Sequence, residues 1–89
     1  MKRIVKRHGI TEDYNQKKLY ASIYSACIAV RVPDAEADIV ASHVLKHVEN
    51  WLADKSEVTS HDIHQITSIY FSALNPDAAY LYKHHDSIS

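Results

Sequence analysis

Three observations in the 89-residue sequence predict an α+β fold, a β-hairpin followed by four helices that form the bulk of the chain. A β-forming run, Arg3-Ile4-Val5-Lys6-Arg7, is followed by His8-Gly9 and by a second short extended run from Ile10 to Tyr14. Gly9 is the only glycine, and it stands where a tight turn needs a positive φ that other residues adopt at a cost. Beyond residue 15 the apolar residues recur at helical spacing, punctuated by cap and proline signals. The length suits one compact domain, residues 1–89, and 46% hydrophobic residues can supply a small core.

The helices follow in order. Asn15 is a good N-cap, and Leu19, Ile23, Ala26, Cys27 and Val30 then share one face until Val32-Pro33 ends the pattern, which predicts a helix over about 16–31. The second helix opens at Pro33-Asp34, keeps Glu36 and Asp38 in its first turns, and lays Ala37, Val40, Ala41, Val44, Val48, Trp51 and Leu52 on one face. After a polar break at 54–57, Thr59 or Ser60 caps a third helix with Ile63, Ile66, Tyr70, Phe71 and Leu74 at apolar positions. Asp62 is spaced to complete a capping box with Thr59. Asn75-Pro76-Asp77 reads as cap, first helical residue and first-turn acid of a short fourth helix through Ala79, Tyr80, Leu81 and Tyr82. The tail from His84 is expected to fray.

Ten Lys plus Arg against eleven Asp plus Glu give a net charge of -1, which argues against binding nucleic acid through the whole surface. The charges are nonetheless segregated. Lys2, Arg3, Lys6, Arg7, Lys17 and Lys18 crowd the first eighteen residues, whereas Asp34, Glu36, Asp38, Glu49, Asp54, Glu57 and Asp62 lie later, so the N-terminal segment is a local anion site. A single cysteine, Cys27, excludes an internal disulfide and an all-cysteine zinc site, and fits a reducing compartment. No apolar run follows the basic start and none approaches the ~20 residues of a membrane span. A cytoplasmic, soluble protein is the expectation.

A hairpin bearing Lys6 and Arg7, then a helix start with Lys17 and Lys18 in its first turn, gathers positive charge and free backbone N–H groups that suit phosphate. The residues alone leave open that these are surface cations guarding an edge strand. The pattern Val5-Lys6-Arg7-His8-Gly9, Glu12, Tyr14-Asn15, Lys18-Leu19, Ser22-Ile23 and Ala26 resembles the opening of the ATP-cone. That is the nucleotide-sensing domain of many ribonucleotide reductase large subunits and of the bacterial repressor of reductase genes. The resemblance continues through Val32-Pro33-Asp34, the stretch Val58 to Ile63, and Asp77 with Ala79-Tyr80.

The resemblance implies a small sheet packed on a four-helix bundle, with ATP or dATP held between them and Glu57-Val58-Thr59 adding a third short strand. It implies that Lys6, Arg7 and Lys18 face the triphosphate, with backbone groups around Val5 and Gly9 close to the ligand. Glu12 and Asn15 would fix the ribose or base, and Ser60 and His64 would reach phosphate from the third helix, with Lys83 a further contact. His8 departs from the acidic or amide residue usual before the turn glycine, and its protonation would add charge beside the phosphates. Tyr14-Asn15 stands for the commoner Phe-Asp.

Other constellations are weaker. His43 and His47 at i, i+4, and His61 and His64 at i, i+3, can each place two imidazoles on one helix face, but with no third ligand expected nearby the spacing alone does not argue for a metal site. Magnesium carried by the nucleotide needs few protein ligands and is the metal this reading allows. Cys27 reads as core filler, as do Trp51, Tyr20, Tyr24, Tyr70 and Tyr80. No phosphate loop of the Walker type and no Ser-His-Asp spacing occurs, so nothing argues for catalysis. Two functions follow: an allosteric adenine-nucleotide sensor acting on a protein partner or through self-association, or a helical protein-interaction or DNA-binding domain that has lost the ligand. The third helix carries no Lys or Arg, which disfavours DNA.

Overall fold

The computed structural model describes residues 3–5, 11–55 and 57–86, with side chains over 14–55 and 57–84. Their order is β1 (Arg3–Val5), β2 (Thr11–Asp13), α1 (Gln16–Ala29), α2 (Asp34–Leu52), β3 (Glu57–Thr59), α3 (Ser60–Leu74) and α4 (Pro76–Asp86). Among the described residues no helix is long and apolar enough to cross a membrane.

Local chemistry sets the helix ends. The Asn15 side chain accepts a hydrogen bond from the Lys18 N–H at 3.2 Å and caps α1. Thr59 caps α3 in a complete capping box: its hydroxyl accepts from the Asp62 N–H at 3.0 Å, and the Asp62 carboxylate accepts from the Thr59 N–H at 3.3 Å. Asn75 accepts from the Ala78 N–H at 3.0 Å and starts α4. α2 begins after Pro33 without a side-chain cap, and Asp34 and Glu36 supply first-turn negative charge instead. α1 stops at Ala29, two residues before the expected end, because Arg31 turns left-handed.

Each helix packs on its neighbours in a closed ring, α1 on α2, α2 on α3, α3 on α4 and α4 on α1. Inside lie Ile23, Cys27, Ala37, Ala41, Val44, Val48, Leu52, Phe71 and Ala78, all nearly or wholly shielded from solvent. Most of these are the stripes the helical spacing predicts, and Cys27 is core filler as expected. Leu45 and Thr67 are buried although the pattern passed over them. Thr67 is tolerated in the core because its hydroxyl donates to the Ile63 carbonyl one turn back, at 2.6 Å.

The expected fold class, a β-hairpin packed on a four-helix bundle, is corrected. The described chain is dominated by four helices, and the described strand segments are three residues each; Lys6, Arg7 and Ile10 of the expected runs Arg3–Arg7 and Ile10–Tyr14 lie outside the described residues. A strand of that length spans about 10 Å, too little to bury a face along helices of fourteen or more residues. The strand order is β2-β1-β3, with β1 antiparallel to β2 and parallel to β3, so the third strand implied by the resemblance is present. The strands nevertheless form no layer over the bundle. Among the described residues their one extensive helix contact is between β3 and α3, and Val58 of β3 joins the core.

Two further corrections concern the C-terminal third. α4 continues through His84 and His85 to Asp86, beyond the expected fraying point. Tyr80, read as a core residue, is 64% exposed, and Leu74 and Leu81 are also exposed. The apolar side of α4 is carried by Ala78, Ala79 and Tyr82, a narrower stripe than the run Ala79-Tyr80-Leu81-Tyr82 suggested.

Candidate functional site

The sheet register decides which sequence-predicted residues can meet. Val5 pairs with Thr59 in the parallel β1–β3 ladder and with Thr11 in the antiparallel β1–β2 ladder. The end of β1, after which the chain enters Lys6-Arg7, therefore lies beside the cap of α3. A helix start offers unpaired N–H groups and the positive end of the helix dipole, the elements of an anion site. Ser60 is exposed in the first position of α3, and His64 is half-buried one turn further on. Lys6, Arg7, His8 and Gly9 lie outside the described residues, so the phosphate-facing roles expected of Lys6, Arg7 and Gly9 have no structural account. The side chains of Val5 and Glu12 lie outside it as well.

Asn15 and Lys18 begin elsewhere. Asp13, which leads into α1, pairs with Arg3 at the opposite end of the sheet from Val5 and Thr59. The Asn15 carbonyl oxygen is engaged in capping, and the Lys18 side chain is exposed. Glu12 pairs with Ile4 at the middle of the ladder.

A groove of about 480 Å³ runs between α3 and α4. His61, His64, Gln65 and Lys83 supply its nitrogen donors, Ser68 and Ser72 hydroxyls, and Tyr80 an exposed ring. The His64 ring is positioned from beneath by Tyr82, 4.8 Å between ring centroids, and Tyr82 in turn rests on Phe71 in the core at 5.9 Å. Tyr80 packs against His84 at 4.1 Å, on the part of α4 beyond the expected end. This groove joins two expected residues, His64 and Lys83, with two that the sequence did not assign to the site, His61 and Tyr80. The signal for His61 was its i, i+3 spacing from His64, read there only as a metal alternative. For Tyr80 the reading is core first, with a contact to adenine left open for one of the tyrosines Tyr20, Tyr24, Tyr70 and Tyr80, because a tyrosine among alanine and leucine reads as core until the helix is packed.

Comparison with protein-family models gives the class first: residues 2–82 match a family of nucleotide-binding regulatory domains. That family is the ATP cone domain, and the chain, matched over nearly its whole length, belongs to it. Adenine nucleotides are the ligands of this family. No curated protein matches the chain.

Proposed function

We propose that the chain binds ATP or dATP, with magnesium as the nucleotide's own counter-ion, and that occupancy regulates a partner polypeptide. The carrying observation is the register of β1 with β3, which brings the strand leading into Lys6-Arg7 to the N-terminus of α3. The phosphates then lie against the first turn of α3, with Ser60 and His64 donating from the helix and Lys6 and Arg7 supplying charge, while Lys18 approaches the ligand separately, from the start of α1. Backbone groups at Val5 and Gly9 line the approach, and Glu12 with the amide nitrogen of Asn15 orients the ribose or base. Lys83 extends the positive edge along the α3–α4 groove, and the exposed Tyr80 ring offers a stacking face there. Regulation requires that the nucleotide prefer one arrangement of the helices over another.

Calorimetric titration with ATP, dATP and GTP in magnesium tests this reading. The expected result is adenine-selective binding that Lys6→Ala weakens by roughly ten- to a hundredfold, the loss of a charge-assisted contact to phosphate. No binding of either adenine nucleotide leaves the partner-binding alternative. Unchanged affinity in both Lys6→Ala and Lys18→Ala overturns the residue assignment while leaving the function standing.

A further inference from the structure

On the exposed side of α2, away from the α3–α4 groove, the Nε2 atoms of His43 and His47 face each other at 3.1 Å. The rings stand edge to face, with centroids 4.5 Å apart and an interplanar angle of 71°. His47 is also stacked on Tyr70 of α3, 5.0 Å between centroids and 17° from parallel, so one of the two imidazoles is held by the packing of a second helix. Without a cation the contact is a hydrogen bond, one Nε2–H donating to the other Nε2.

Two nitrogens bound to one zinc or copper ion, each about 2.0–2.1 Å from it, are separated by about 3 Å. The distance between the two Nε2 atoms is therefore already that of a chelate. We propose that His43 and His47 form a surface two-histidine site for a borderline divalent transition cation, Cu(II) or Zn(II), distinct from the nucleotide site. The ion takes the Nε2 lone pair of each ring. The ring that donated its Nε2 proton in the metal-free pair shifts that proton to Nδ1, so both rings bind as neutral Nδ1–H tautomers. Among the described residues no group of three or more His, Cys, Asp or Glu gathers at a metal position, so water completes the coordination. An incomplete set of imidazole ligands favours Cu(II) over Zn(II) and rejects magnesium, which requires oxygen donors.

The chain carries its own probe, because Trp51 is its single tryptophan and lies one helical turn beyond His47. Fluorescence titration of the 89-residue chain with Cu(II) is expected to quench Trp51 saturably at one equivalent. His43→Gln and His47→Gln should each weaken the binding by at least roughly tenfold, since the second imidazole of a chelate binds at high effective concentration. The double variant His61→Gln/His64→Gln should titrate as the parent does, with far-UV circular dichroism reporting the helices in every case. A parental midpoint in His43→Gln, whose side chain is exposed and leaves the fold intact, overturns the proposal. Loss of quenching in the His61/His64 variant instead overturns it equally, by assigning the copper to the groove.

Discussion

Arg31 holds φ = 66°, the only non-glycine residue with positive φ among those described. It sits just past the end of α1, where its N–H donates to the Ile28 carbonyl at 2.9 Å and the Val32 N–H donates to the Cys27 carbonyl at 3.0 Å. This pair of bonds is the Schellman arrangement, with buried Val32 packing back toward Cys27. A left-handed arginine carries a steric cost between Cβ and the following carbonyl that glycine avoids, partly offset by glycine's larger freedom in the unfolded chain. Arg31→Gly should therefore stabilise the protein by about 1 kcal/mol, an increase of about 4–8 °C in Tm for a domain of this size. Thermal unfolding of the two proteins side by side measures it, and a lower Tm in the variant would refute the cap argument.

At the scale of elements, α1 and α2 are strapped together by phenols. Tyr14 donates to Glu49 at 3.1 Å, with Gln16 bonding the same carboxylate at 3.3 Å. Tyr20, stacked on Tyr24 with 5.9 Å between centroids, donates to Asp38. All three phenols are harder to ionise than free tyrosine. For Tyr14 the main cause is burial, then the Glu49 charge; for Tyr24 it is burial, then Asp34. Tyr20 is pushed up to about 12, first by its hydrogen bond to Asp38 and then by burial. A pKa raised by folding means the fold favours the protonated phenol, so this stabilisation is whole below pH 10 and is lost as pH climbs from 10 towards 12. Urea unfolding at pH 9, 10 and 11 should show a falling midpoint, and Tyr20→Phe should flatten that fall. Parallel declines in the two proteins would remove Tyr20 from the account.

Across the whole molecule, the groove and the core are one packed column, His64 on Tyr82 on Phe71. Phe71 is fully buried, and its truncation leaves a cavity that the surrounding side chains fill only partly. Phe71→Ala should cost about 3–5 kcal/mol, a large share of the roughly 4–13 kcal/mol expected of 89 residues. The denaturant midpoint should fall at nearly constant m, and a loss below about 1 kcal/mol would mean that the α3–α4 pair is not anchored through this ring.

The sequence by itself determined the helices, their caps and most of the core, because those depend on neighbours within a turn. Asn15, Thr59 with Asp62, and Asn75 bond to N–H groups three residues away, and the stripes of α1 and α2 follow from helical periodicity alone. Its spacing of basic residues, turn glycine and helix start was also enough to mark the ATP-cone family, whose model spans residues 2–82. Only the tertiary structure decided that β1 lies between β2 and β3, since parallel pairing joins segments more than fifty residues apart and leaves no local trace. It also decided which ring faces water. Tyr80 and Tyr82 stand two residues apart on one helix, and the packing of α4 against α1 and α3 buries Tyr82 beneath His64 while leaving Tyr80 to line the groove.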